Sequence, residues 1–492
     1  MPVVVRPQAS APRLVETHIS TLFFVDGLVY KRKKPVNLGF ADFREIESRH
    51  AACREEVRLN ARMSPDVYLG VAEVRGVDGE PCDYLVVMRE LPDALRLSRL
   101  VTEAQQVTSV LEDVARQVVA LHRRSVTSPA QRDCAGPDNL EGLWRQSIDA
   151  VSDFPDIVAR PITDRTRSLA LAWIAGRRAL LSARESVVVD GHGDLLADDI
   201  FSMPAGARIL DCLEFDERLR VGDPIADVAF LAMDLERLGS PESATTLLRY
   251  FLEQSNDTVP AGLIDHYLAY RAHIRCKVAC LRAAQGEQPD QVMLAWQLAE
   301  LCLSHLERAR VRLVLLGGLP GTGKTTLASR LARRHGWLHL SSDTLRKAQP
   351  PEAETDRFGE GRYSRAARAE IYTDLREHAQ RALQAGQSVV VDASFGSAEL
   401  RAKAREAGRL AGAEVLEIRC EVEADVADVR LEQRPAGPSE ATPGIRAALS
   451  LEADPWPEAS ALSTSGSVTE SIASLDLITC PSGHPAMLSR LP

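Results

Sequence analysis

The sequence predicts an α/β chain of more than one domain: a small α+β lobe, a mainly helical lobe, and then a parallel sheet wrapped by crossover helices. Three observations predict it. Strand-like runs with one charged helix open the chain, a long stretch of helical period follows, and beyond residue 311 apolar strands alternate with amphipathic helices. The 492 residues also exceed what one ordinary core accommodates.

The first lobe begins with THISTLFFVDGLVYKRKKPV, two strands around Val25-Asp26-Gly27, since Asp-Gly supplies the positive φ angles of a tight hairpin. A charged helix follows in ADFREIESRHAACREEVRLNARM, and DYLVVMRELP alternates into a strand that stops at Pro92. These elements define a lobe of about residues 1–91. From about 92 to 310 the runs LEDVARQVVALHR, ADVAFLAMDLERL and LIDHYLAYRAHIRCKVACLRAA have helical period, interrupted by short strands at SVVVD (Ser186) and ARILDCLEF (Ala207). QVMLAWQLAELCLSHLERAR ends in arginines, and VRLVLLGG opens a new strand at Val311, so the domain boundary is placed there, giving domains 1–310 and 311–492. Next come KTTLASRLARRHG, WLHLSS, SRAARAEIYTDLREHAQRALQAG, a second SVVVD (Ser388), AELRAKAREAGRLAG and AEVLEIRCEV, the alternation of a parallel sheet. Both copies of SVVVD are expected to be buried β-branched strands that stop at a site edge. The tail from 455 is richer in Pro, Ser and Thr.

With 45% hydrophobic and 26% charged residues, the composition is that of a soluble globular protein. No apolar run approaches the roughly 20 residues that span a bilayer, and MPVVVRPQASAPR lacks a signal-peptide core, so a cytoplasmic location and no membrane partner are expected. A formal charge of -10 repels a phosphate backbone, which makes a small molecule, rather than nucleic acid, the expected partner. The nine cysteines are scattered, and the closest pair, Cys276 and Cys280, lacks metal-site spacing.

Gly318-Leu-Pro-Gly321-Thr322-Gly323-Lys324-Thr325 fits GxxxxGK[ST] between an apolar strand and a helix. Glycines let backbone N–H groups turn towards phosphate oxygens, and the helix N-terminus, including Thr326, adds partial positive charge. Lys324 reaches the outer phosphates and Thr325 offers a hydroxyl to Mg²⁺. The cofactors expected are therefore ATP and Mg²⁺; the plain alternative is a glycine turn with an incidental lysine.

Further residues resemble the P-loop kinase branch that includes polynucleotide, gluconate-type and zeta-toxin-like kinases. Ser341-Ser-Asp343-Thr-Leu-Arg346 looks like its acid-x-x-Arg pattern. The resemblance implies that Asp343 orients or deprotonates an acceptor hydroxyl and Arg346 holds substrate or phosphate, with a helix-capping aspartate as the alternative. Asp392, ending the second SVVVD, is placed like an acid that holds Mg²⁺ through water. Arg430 and Arg434 resemble lid arginines, against the alternative of a solvated face pairing with Glu432.

In VVVDGHGDLLADDIF, His192-Gly-Asp194 is followed by Asp199, and Asp211 lies seventeen positions after Asp194. These acids resemble the catalytic and metal loops of aminoglycoside-phosphotransferase-like kinases, a branch of the protein-kinase-like fold. The resemblance implies that Asp194 accepts the acceptor hydroxyl's proton and that Asp211 binds Mg²⁺. Asp199 stands where the pattern has Asn; it still offers hard oxygen to Mg²⁺, and its extra charge bears on ATP affinity. His192 and Asp227 read as braces of the loop, Asp227 alternatively as an ordinary first-turn acid. Lys31 and Lys33 share a strand face, so one is expected to hold the ATP phosphates, with Glu56 or Glu55 holding that lysine. No GxGxxG precedes them, and VVMRELP is the expected adenine hinge. On the helix carrying Tyr267, Tyr270, Arg271 and Arg275, the choice is between a polar acceptor pocket and a cationic surface.

Taken in order, VYKRKKPV, VMRELP, DGHGD, DCLEF and the P-loop resemble a bacterial family of bifunctional aminoglycoside phosphotransferase-like and ATP-binding proteins, over nearly the whole chain. The implied fold is a two-lobed kinase-like α+β domain followed by a P-loop α/β domain. The implied activity is an ATP-dependent phosphotransferase with two nucleotide sites and a small-molecule hydroxyl acceptor. The alternatives are a nucleotide-binding regulatory protein with a degenerate first domain, or a C-terminal kinase acting on a nucleic-acid end or nucleotide sugar. An aminoglycoside does not follow from the family name.

Overall fold

The computed structural model describes residues 13–17, 19–37, 42–133, 136–286, 289–348, 364–433 and 441–479. They form two compact units, one of Met1–Leu140, Arg184–Thr258 and Tyr270–Leu301, the other of Glu141–Ala183, Val259–Ala269 and Cys302–Pro492.

The first unit opens with an antiparallel sheet, ordered β1 (Arg13–Glu16), β2 (Ser20–Val25), β3 (Leu28–Lys33), β5 (Pro81–Arg89), β4 (Tyr68–Arg75). Asp26 and Gly27 both have positive φ, 49° and 77°, as a two-residue hairpin turn requires. Along β3 the side chains alternate, so Val29, Lys31 and Lys33 are buried on one face. The helix Ile46–Asn60 covers that face, packing Cys53 and Val57 against Val29, Val86 and Met88. Strands β1 and β4 were not expected. In β4 the register shifts between Tyr68 and Gly70, which breaks the simple alternation a sequence scan detects.

The rest of this unit is built on the helices Thr108–Arg123, Pro224–Arg237 and Pro241–Ser255. Two small strand pairs lie with them: β6 (Val189–Asp190) with β9 (Val221–Gly222), and the hairpin β7 (Ile200–Met203) with β8 (Gly206–Ile209). The two copies of SVVVD differ, which corrects the expectation of equivalent strands. In the first, a single 3₁₀ turn covers Glu185–Val187 and only two residues pair. The second forms β12 (Val389–Asp392), hydrogen-bonded on both sides. The same five residues become a full strand only where neighbours supply a ladder on each edge.

In the second unit every pairing is parallel, in the order β11 (Leu338–Ser341), β12, β10 (Arg312–Gly317), β13 (Glu414–Glu421), β14 (Ser460–Ser463). The register sets Leu316 beside Asp392 and Asp392 beside Ser341, so the strand ends reach one common edge. Leu313, Leu315 and Val391 pack one face of the sheet under the helix Arg365–Gln384, while Val314, Leu316 and Val390 pack the other under Lys324–His335. The Pro/Ser/Thr-rich tail contributes β14 and the helix Val468–Thr479.

This unit also includes chain from before residue 311. Gly176 allows the helix Arg160–Gly176 to meet the Ala411–Gly412 turn, because a Cβ there would stand 2.2 Å from Ala411 O. Arg177, 1% exposed, donates to Ala411 O at 3.1 Å and Gly412 O at 3.0 Å. His266 stacks on Trp173, with 4.3 Å between centroids, and accepts a hydrogen bond from Trp144 Nε1 at 3.0 Å. Burial, then the Arg177 charge, pushes the His266 imidazole down to about 3, so it is neutral when folded and takes up a proton near pH 6.5 when unfolded. Stability is therefore complete above pH 6.5 and falls as acidity increases towards pH 3, by about 2 kcal/mol at pH 5 for this group alone. Chemical denaturation from pH 7 to 5 is expected to show that loss, and His266→Gln to flatten it; equal slopes in the two proteins would refute the assignment.

Candidate active sites

The first site assembles on the buried face of β3. Lys31 Nζ lies 2.9 Å from Glu56 Oε1 and 2.5 Å from Asp211 Oδ1. Lys33 Nζ lies 2.6 Å from Glu56 Oε2 and also pairs with Glu214. Glu56 thus serves both lysines, whereas Glu55 pairs with Arg58 at 2.6 Å near the surface. Burial opposes charge on Lys31, yet Asp211 and Glu56 outweigh it and hold the ammonium well above its ordinary range. Lys33, subject to the same burial, is pushed up to about 12 by Glu56 and Glu214. Lys33 and Glu56 are fully enclosed, and of the two lysines Lys31 is the one that meets Asp211 while Lys33 meets Glu214. Sequence reasoning missed Glu214; the signal was its place three residues after Asp211 in Asp-Cys-Leu-Glu.

Asp211 adopts φ 64°, and its loop is held from several sides. Tyr68 Oη accepts from Asp211 N at 3.1 Å and Asn60 Oδ1 from Cys212 N at 2.9 Å. His192 Nε2 bonds Leu210 O at 3.0 Å, and its own carbonyl accepts from Leu213 N at 3.1 Å, so His192 joins the two loops. Asp227 accepts from His192 N at 2.9 Å, Gly193 N at 2.8 Å and His122 Nε2 at 2.8 Å. Burial raises the Asp227 carboxyl, but His122 and the backbone donors hold it far below the usual range. A Cβ on Gly191 would stand 2.4 Å from Asp227 Oδ2, so only glycine lets the loop approach this closely. The helix cap at this point is Asp223, which accepts from Ile225 N, leaving Asp227 to fix the loop. His122, Asn60 and Tyr68 carried no sequence motif.

Around the loop three carboxylates share one field. Burial pushes Asp194 up to about 6; Arg275 and Arg271 pull it down while Asp211 and Asp234 raise it. Asp199 is driven well above the usual carboxylate range by burial, then by Asp211 and Asp194. Asp211 is itself raised by burial, but Lys31 overcomes this and holds it low. Asp199 and Asp211 repel one another, and two such hard carboxylates are the donor set and charge a Mg²⁺ ion fits. Among the described residues no three His, Cys, Asp or Glu side chains form a metal cage.

The second site lies at the carboxyl edge of the parallel sheet. Gly318, Gly321 and Gly323 have φ of 142°, 85° and 82°. A Cβ on Gly318 would stand 2.7 Å from Cys420 O, and one on Gly321 would stand 2.6 Å from Ala427 O. Thr322 Oγ1 closes the loop onto Leu319 O at 2.8 Å, and Lys324 Nζ reaches the same carbonyl at 3.4 Å. Lys324 begins the helix, and Thr325 and Thr326 follow exposed in its first turn. Asp392 is 2% exposed, and neither carboxylate oxygen has a hydrogen-bond partner; the nearest base is His339 Nε2 at 3.7 Å. A buried, unsatisfied carboxylate in register with the strand leading into the glycine loop fits Mg²⁺ held through water.

Asp343 lies in the first turn of the helix Ser342–Ala348, where its Oδ1 accepts from Arg346 Nη1 at 2.6 Å. Arg430 Nη2 donates to Thr464 O at 2.8 Å rather than pairing with Glu432. Its Nη1 lies 4.0 Å from where a Gly323 Cβ would stand, against the phosphate loop. Arg434 falls outside the described residues. The structure thus gathers Lys31, Lys33, Glu56, Asp194, Asp199 and Asp211 at one site, and Asp392 and Arg430 beside the glycine loop at the other.

Comparisons agree with this division. The phosphotransferase enzyme family matches residues 41–263, and an AAA domain matches residues 313–450. An uncharacterized protein of Mycobacterium tuberculosis (strain H37Rv) and one of Mycobacterium bovis are each 36% identical over 463 residues, 92% of this chain and 92% of theirs. Among solved structures, a choline/ethanolamine kinase family protein from Mesorhizobium loti is 14% identical, covering 60% of this chain and 92% of its own, with a TM-score of 0.39. A sugar kinase from Janibacter sp. is 19% identical, covering 36% and 98%, with a TM-score of 0.29. Fold and sites define a two-domain protein of the phosphotransferase and P-loop kinase classes. The chain belongs to the bacterial family that joins an aminoglycoside phosphotransferase-like domain to a P-loop ATP-binding domain. Both classes use ATP, and their chemistry is phosphoryl transfer. Among the described residues no helix is long and apolar enough to cross a membrane.

The buried charge cluster makes a stability prediction. Glu56→Ala leaves Lys31 and Lys33 without their common acid and is expected to cost about 3–5 kcal/mol in chemical denaturation. Glu55→Ala, one residue away, is expected to stay within about 0.5 kcal/mol. Similar losses in the two variants would contradict the central role of Glu56.

Proposed function

We propose that this protein is an ATP-dependent phosphotransferase with two separate nucleotide sites, each moving the γ-phosphoryl group to a hydroxyl of a small molecule. The observation that carries the reading is a buried carboxylate at each site beside the element suited to phosphate: Asp199 in the field of Asp211 and Lys31, and Asp392, without a hydrogen-bond partner, in register with the strand that leads into the glycine loop. In the first, Lys31, fixed by Glu56, holds the phosphates, and Asp199 with Asp211 would hold Mg²⁺. Asp194, raised by burial, accepts the proton of the attacking hydroxyl. In the second, the backbone N–H groups of 318–324 and Lys324 cradle the phosphates, and Thr325 and Asp392 would hold Mg²⁺. Asp343 aligns the acceptor hydroxyl, while Arg346 and Arg430 offset charge on the moving phosphoryl. Held by these residues, the metal would supply positive charge to offset that of the phosphates.

A second reading has its own support. Asp199 replaces Asn and no glycine-rich loop precedes Lys31, features that fit a first domain that binds nucleotide and signals its presence without turnover.

Lys324→Ala is expected to remove one of two Mg·ATP binding events in calorimetry. Asp194→Asn is expected to retain both and to slow transfer at the first site by about 10²- to 10⁴-fold. With γ-labelled ATP, the whole protein and a pooled metabolite extract, label recovered only as free phosphate would favour the signalling reading over the transferase.

A further inference from the structure

The helix Ala261–Ala284 contributes its segment from Tyr270 onward to the first unit, and Arg271 and Arg275 lie one turn apart on it. Arg271 is anchored: its Nε donates to Ala226 O at 2.8 Å, and its guanidinium lies 4.6 Å from the Phe230 ring centroid. Ala226 directly precedes Asp227, which fixes the loop carrying Asp194, so the arginine is tied to the same scaffold as the catalytic base. Only its Nε is used; among the described residues the two Nη groups find no acceptor. Among the described residues Arg275 has no hydrogen-bond partner, and after burial its charge is the strongest influence on Asp194.

Among the described residues neither arginine has an ion-pair partner, which sets them apart from their neighbours. Arg237 pairs with Asp234 at 2.7 Å, Arg220 with Asp190 at 2.6 Å and Arg184 with Asp223 at 2.8 Å. Asp194, whose charge they stabilise, makes no ion pair with either arginine among the described residues, so in a chain of formal charge -10 both partly buried guanidinium groups keep donors for a further anion. The nearby acids do not serve: Asp234 is held by Arg237, Asp211 by Lys31, and Asp199 faces the metal position.

We infer that the acceptor of the Asp194 site is an anion, a small polyhydroxylated molecule bearing a carboxylate or phosphate that Arg271 and Arg275 grip while its hydroxyl meets Asp194. The inference rests on the phosphotransferase reading of that site. The fork of an arginine matches both anions bidentately, and its fixed charge repels a cationic acceptor. In the transfer, the acceptor oxygen gives its proton to Asp194, forms the new P–O bond, and ADP leaves as the old one breaks.

The test uses the full chain carrying Lys324→Ala to silence the second site, γ-labelled ATP, and three groups of probes: gluconate and glucose 6-phosphate, glucose and inositol, choline and kanamycin. Label is expected to pass to an anionic probe and to be lost with Asp194→Asn. Arg275→Ala is expected to raise KM for that probe about 10- to 100-fold, more than it lowers kcat, and Arg275→Lys to recover part of the loss. Asp194-dependent transfer to neutral or cationic probes with a KM indifferent to Arg275→Ala overturns the anionic acceptor and leaves the phosphotransferase intact. No Asp194-dependent transfer to any group overturns both.

Discussion

One buried carboxylate organises the first site. Glu56, with no solvent exposure, holds Lys31 through one oxygen and Lys33 through the other, and the lysines in turn hold Asp211 and Glu214. Removing any member leaves a charge in a low-dielectric interior, so the set is kept or lost together. The consequence is geometric. Strand β3, the helix Ile46–Asn60 and the Asp211 loop are fixed relative to one another by charge, and Lys31 and Asp211 meet without a glycine-rich loop.

The second site reaches a similar end by different means. There the backbone does most of the work: glycines at positive φ press against the Cys420 and Ala427 carbonyls, and the loop closes through Thr322. Asp392, with no hydrogen-bond partner among the described residues, is held in place by strands on both sides. A rigid sheet edge can support an unsatisfied carboxylate because its backbone is fully paired; the loop-borne Asp211 instead depends on Lys31, Tyr68 and Asn60.

What the sequence made legible follows from this contrast. The glycine loop, Asp392 and the sheet around them could be read because strand, turn and helix signals are contiguous. Asp194, Asp199 and Asp211 were legible through family spacing. Lys31 versus Lys33, and Glu55 versus Glu56, stayed open until the fold showed which oxygens meet which ammonium. His122, Glu214 and Asn60 act across long separations and leave no local pattern. The first SVVVD misled for a related reason, since propensity is identical in both copies and only neighbouring strands decide the outcome.

Arg177 has a broader implication. Its guanidinium, buried with no carboxylate beside it among the described residues, donates through Nη1 to the carbonyls of Ala411 and Gly412, and Gly176 beside it tolerates no side chain. Residues 141–183, which fall inside the phosphotransferase match, therefore complete the core around the ATP-binding sheet. Recombination at a single junction near Val311 would sever that core, so the two halves cannot be traded as independent cassettes and must be inherited as one gene product.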